Sequence, residues 1–185
     1  MHRFEDLIYR STSFTLGALE ETNSKIIEAL QTSGSTILVK NLQMIQLQKA
    51  IFAIGMFSMF DAILQDQLSC KNGFEGAKKI LKEKKNLELH DRFDEFICAI
   101  NVLKHGQGRS YDALLPKSEL LPFRIKLRGE NFFGEGDVSE IDTLIEVDDN
   151  FVLNCADLID KVSSEIELNI LTTHNSYYNR FGHLA

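Results

Sequence analysis

An all-α fold, an antiparallel bundle of four to five helices with a small β-hairpin-like insertion near residues 120–147, is the architecture this sequence predicts. Three observations predict it. The only two prolines, Pro116 and Pro122, sit close together, so everything before Pro116 is free of the strongest helix breaker. Apolar residues recur at helical spacing along most of the chain, most clearly at Leu89, Phe93, Phe96, Ile97, Ile100 and Leu103. Clusters of turn formers divide that pattern at Thr32-Ser33-Gly34-Ser35, Lys71-Asn72-Gly73 and His105-Gly106-Gln107-Gly108.

Taken in order, residues 1–14 read as a loose leader or a short helix, and a first clear helix runs from about Leu16 to Gln31. The second and longest spans about Thr36 to Ser69. Leu42, Ile45, Ala50, Phe52, Ile54, Phe57, Phe60, Ile63 and Leu64 leave little of its middle polar, the mark of a central helix packed on several sides. Gly55 costs it some stability but permits close approach by a neighbour. A short basic helix covers about Phe74 to Lys84, and the well-patterned one about Leu87 to Lys104. Ser110 to Leu115 forms a helical turn ending at Pro116. Phe123 to Leu127 alternates and faces Thr143 to Val147 across Gly129, Gly134 and Gly136, which gives the hairpin-like insertion. Asp148 or Asp149 caps a last helix to about Leu171, with a buried stripe of Val152, Cys155, Leu158, Ile159, Val162 and Ile166. The segment 172–185 is a polar, aromatic tail, and the expected unit is one domain, 1–185, with its core at about 16–171.

Composition narrows the function classes. At 44% hydrophobic and 25% charged, the 185-residue chain is ordinary for a globular domain with one core. The net charge of −7 argues against a nucleic-acid binder held by bulk electrostatics. Lys78, Lys79, Lys82, Lys84 and Lys85 crowd one stretch and fit a solvated helix face better than an RNA-contacting patch. The N-terminus carries no signal-peptide pattern, and the apolar run from Ala50 to Phe60 is too short to span a bilayer. Cys70, Cys98 and Cys155 are widely spaced, as expected of reduced thiols. A cytoplasmic protein without membrane contact is therefore expected. No CxxC, HxxxH or HExxH spacing occurs, so no metal site is expected, and the phosphate-loop, dinucleotide and nucleophile-elbow glycine motifs are absent too. No cofactor is expected.

One constellation carries possible chemistry. On a helical wheel, Asp94, Cys98, Asn101 and His105 fall beside the apolar face of the Leu87–Lys104 helix, and Asn101 and His105 are four residues apart on one side. Histidine is the side chain suited to general acid or base work near neutral pH. Asn101 is placed to orient it or to hold a phosphate oxygen, Gly106 and Gly108 leave backbone N–H groups accessible, and Lys104 and Arg109 add positive charge. The competing account is structural: a histidine in the last turn of a helix favours the dipole and bonds the final carbonyls, and Gly106 is a natural C-cap. Asp61, amid Met56, Phe57, Met59 and Phe60, needs a polar partner, either His105 or a surface lysine.

The stretch Asn101-Val102-Leu103-Lys104-His105-Gly106-Gln107-Gly108 resembles the signature of HEPN-domain proteins, small helical bundles of toxin–antitoxin and anti-phage systems. In that family an Arg-Asn pair ends a helix and a histidine follows a few residues later. Asn101 and His105 match the asparagine and the histidine, while Ile100 stands at the arginine position. The likeness covers roughly residues 36–170, with its specific part under ten residues. The resemblance implies a homodimer, RNA or a nucleotide as ligand, and an antitoxin or nucleotidyltransferase-type protein partner. With Ile100 in place of arginine, it implies a non-catalytic module in RNA- or nucleotide-linked regulation or defence. The alternatives are a metal-independent endoribonuclease using His105, Asn101 and Arg109, and a structural helical protein with no site.

Overall fold

Each helix has an apolar stripe to bury, and the order in which the stripes meet defines the computed structural model, which describes residues 3–133 and 139–181, with the backbone alone from 168 onward. Its elements are α1 (Phe4–Leu30), α2 (Thr36–Gln67), α3 (Gly73–Glu83), α4 (Leu87–His105), α5 (Arg109–Leu114), a 3-10 turn (Leu115–Lys117) and α6 (Asp149–Phe181). Among the described residues the fold is all-α, with six helices rather than four to five. Helix α1 begins at Phe4, not Leu16, because Ile8, Thr12 and Leu16 extend its buried stripe backwards and the Phe4 ring stacks on Phe60 at 6.4 Å. Helix α6 runs beyond Leu171 to Phe181.

Helix α2 is the hub, packing on α1, α3, α4 and α6. Phe57, Phe60 and Leu64 enter one apolar cluster with Leu81 of α3, Phe93 and Phe96 of α4, and Val152, Leu158 and Val162 of α6. Polar ties fix the helix ends around it. Ser35, Asn72 and Asn86 cap α2, α3 and α4 through their side chains. Asp148 caps α6, its Oδ1 accepting from Phe151 N at 2.7 Å, while Asp149 pairs with Lys49 of α2 at 2.7 Å. The basic stretch is partly neutralised: Lys78 pairs with Glu75 and Asp94, and Lys84 with Glu165.

Among the described residues there is no β-strand, so the hairpin-like insertion is corrected. The two alternating segments do meet, but at a single antiparallel bridge, Ile125 to Ile145, flanked by Lys126 N to Leu144 O at 2.8 Å and Glu146 N to Arg124 O at 3.0 Å. Phe123, Ile125, Ile145 and Val147 are buried against the helices, which satisfies the alternation without a longer ladder. Beyond the bridge, side chains hold the segment. Gly129 turns the chain at φ 79°, and Lys126 and Arg124 lie over the Phe132 ring at 4.7 and 5.6 Å. Lys126 also pairs with Glu140. Gly134, Gly136 and the last four residues of the tail lie outside the described residues.

Candidate functional site

Helix α4 places the first two site residues. Ile100 and Val102 are buried at 3% and 2% exposure, which turns Asn101 to the edge of the core and His105 out to solvent at the last turn. Gly106 then ends the helix. Its N–H bonds Val102 O at 2.8 Å, and its φ of 71° with ψ −141° is a conformation open to glycine. The C-cap is thus Gly106 itself, and the His105 ring makes no hydrogen bond among the described residues. Gly108 is extended, a conformation any residue adopts, and a Cβ there would meet nothing within 4 Å. Gly106→Ala is expected to lower stability by about 1–2 kcal/mol, the cost of a Cβ in this backbone region. Chemical denaturation would show it as a lowered midpoint, whereas Gly108→Ala leaves the midpoint unchanged.

The short helix α5 supplies the opposite wall. Tyr111 and Leu114 are each 1% exposed, and the Tyr111 hydroxyl donates to Lys126 O at 2.8 Å. These anchors hold Arg109 and Ser110 across from the end of α4. The resulting depression, about 360 Å³, is lined by Asn101, His105, Gly106, Gln107, Gly108, Arg109 and Ser110. No ion pair engages Arg109 or Lys104 among the described residues, and Lys104 is exposed beside the rim without lining it.

The polar strip divides along its length. Asp94 is held by Lys78 at 2.9 Å. Ser110 lies beside Cys98 and favours its thiolate, but burial, with the Asp94 carboxylate second, pushes the thiol above the usual range, so it stays protonated at neutral pH. Asn101 and His105 alone of the strip line the depression. Arg109 joins them there, while Arg92 donates to Asn154 Oδ1 at 2.8 Å in a separate depression containing Glu88, Asp160 and Glu165.

Asp61 lies outside this site. Its Oδ1 accepts from Phe74 N at 3.1 Å and its Oδ2 from Gln65 Nε2 at 2.7 Å. Among the described residues neither His105 nor a lysine is its partner. It supplies a second cap to α3, in the orphan N–H positions that begin every helix. Gln107 and Ser110 were not singled out by sequence. The signal for Ser110 is weak: it follows Arg109 at the head of a six-residue helix, and only folding places it beside Cys98.

Among the described residues, no group of three or more His, Cys, Asp or Glu side chains is arranged to hold a metal ion. No family model, no curated protein and no solved structure matches the chain.

Proposed function

We propose that the depression between α4 and α5 binds a phosphate group of RNA or a nucleotide, and that the chain is a non-catalytic, HEPN-like module of RNA- or nucleotide-linked regulation or defence. One observation carries this. The walls of that depression contain Arg109 and His105 and no carboxylate. Four other depressions on the surface each include carboxylates: Glu88, Asp160 and Glu165 in one, Glu140 and Glu146 in another, Glu75 and Glu83 in a third, and Glu5, Asp66 and Glu167 in the last. On a chain of net charge −7, an anion meets repulsion over most of the surface and finds local compensation here. A planar guanidinium with no ion-pair partner among the described residues is suited to phosphate oxygens, and Asn101, Ser110 and the imidazole add hydrogen-bond donors.

Ile100 is why the module is proposed as non-catalytic. At 3% exposure it is part of the core, so the position of the family arginine offers no charge to a reacting phosphate. A second reading, favoured by the shared pocket of Arg109 and His105, is a metal-independent endoribonuclease. In it His105 exchanges the proton of the 2′-hydroxyl and Arg109 stabilises the charge that builds on the phosphorus oxygens.

Fluorescence anisotropy with a labelled single-stranded RNA 12-mer, competed by AMP and by inorganic phosphate, tests the site. Arg109→Ala should weaken binding by about tenfold or more, the loss of a charge-assisted contact, and reduce the salt dependence by about one phosphate. Its denaturation midpoint should match the unmodified protein. Equal affinity for both proteins would refute the pocket as the ligand site. RNA cleavage in EDTA that disappears in His105→Ala would replace the binding module by the nuclease.

A further inference from the structure

Helix α2 buries one face in its own chain and leaves the opposite face bare. Ile37, Met44, Leu47, Ile51 and Met59 are 68, 42, 48, 52 and 59% exposed. At 100° per residue they fall within one face of about 120°, together with Lys40, Gly55, Ala62 and Asp66. The helix is long and apolar enough to cross a membrane, yet only 33% of its most apolar 18-residue window is buried within the chain. Half-exposed side chains of this size offer on the order of 400 Å² of contiguous apolar surface, the scale at which a patch marks an interface.

We infer that this face pairs with the same face of a second copy, two α2 helices crossing antiparallel about a two-fold axis at the level of Ala53. The sequence of the face is self-complementary in that arrangement and in that direction. Ile51 meets Gly55 of the other copy, and Met44 meets Ala62, so large side chains fall on small ones. Leu47 meets Met59. At each end Lys40 comes level with Asp66. Neither Lys40 nor Asp66 forms an ion pair among the described residues. A Cβ added at Gly55 would touch nothing within 4 Å in its own chain, so the hole there is open to an incoming residue. A parallel pair would instead set Lys40 against Lys40 and Asp66 against Asp66, which like-charge repulsion disfavours.

The apolar face alone supplies about half of the roughly 800 Å² per partner of a standard interface, and the polar side chains flanking it form the rim. A bilayer is the competing occupant. It is disfavoured because the exposed polar residues Gln48 and Ser58 interrupt the apolar face, and because Lys49 on the inner side is tied to Asp149 of α6. The surface shares no residue with the phosphate pocket, so the two proposals stand or fall separately.

Sedimentation velocity on the full chain tests it, with far-UV circular dichroism confirming the fold of each variant. The protein should sediment as a dimer at micromolar concentration. Ile51→Asp should raise the dissociation constant by at least about thirtyfold, as loss of a central contact does. Lys40→Asp should weaken the dimer by about tenfold, and the double variant Lys40→Asp/Asp66→Lys should restore it. A monomer at 100-fold higher concentration than the assay range, a dimer indifferent to Ile51→Asp, or a double variant as weak as the single one would overturn the proposal. So would flotation of the unmodified protein with phosphatidylcholine–phosphatidylglycerol vesicles that Ile51→Asp abolishes, which would assign the face to lipid.

Discussion

Phe93→Ala is expected to lower the free energy of unfolding by about 3–5 kcal/mol, the cost of deleting a buried aromatic ring and leaving a cavity. Phe93 is fully buried, and its ring lies 5.5 Å from Phe74, 6.2 Å from Phe60 and 6.4 Å from Phe57. It therefore joins α2, α3 and α4 at one point, and no single neighbour can move into the space without leaving another. Edge-to-face contacts to Phe60 and Phe74 add to the area term. Urea denaturation should show a lower midpoint with an unchanged slope, the sign of lost stability rather than an altered unfolded state. A fall of less than about 1 kcal/mol would mean that this aromatic cluster repacks freely, against the close packing of protein interiors.

The elements that sequence resolved best are those whose two signals agree. Helix α4 has both a stripe and a stop: Phe93, Phe96 and Ile100 are buried as spaced, and Gly106 ends the helix by its own φ. In α1 the run Arg10-Ser11-Thr12-Ser13 lowers local helix propensity, and tertiary contacts at Phe4, Ile8 and Thr12 override it, so the helix begins well before Leu16. The 120–147 segment shows the opposite failure. Its alternation was real and the facing residues were correctly matched, but alternation reports burial of every second residue, and one bridge satisfies that as well as a ladder.

The site was legible where helix geometry links its parts. Asn101 and His105 share a side because they are four apart on α4. Arg109 follows a turn at Gly106, and only the fold, through the anchors of α5, brings it to the pocket beside His105. The partners of Asp61 are the Phe74 N–H and the Gln65 amide, neither of which leaves a mark in a charge pattern. The uncovered face of α2 was hidden for a related reason. A helix apolar all round reads as central, and the reading is the same whether its last face is covered by its own chain or by another.

Gly73→Ala carries the second large effect, and its sign runs against helix propensity. In an exposed helix interior, alanine for glycine gains about 1 kcal/mol. At Gly73, the first residue of α3, a Cβ would lie 2.5 Å from the Asp61 carbonyl oxygen, 2.6 Å from Leu64 Cβ and 2.9 Å from Asp61 Oδ1. Two of those atoms belong to the backbone and Cβ of the central helix and cannot swing aside. Relief requires α3 to move off α2, which stretches the bond from Phe74 N to Asp61 Oδ1 and opens the packing of Ala77 and Leu81, both fully buried. Overpacking of this kind costs about 3 kcal/mol, well above the propensity gain. Gly17→Ala is the matched comparison, since a Cβ there meets nothing within 4 Å and the residue lies within α1. Thermal and urea unfolding should therefore move in opposite directions for the two variants, down for Gly73→Ala and slightly up for Gly17→Ala. If both rise, the close approach of α3 to α2 at Gly73 is not a fixed feature of the fold, and the capping role of Asp61 fails with it.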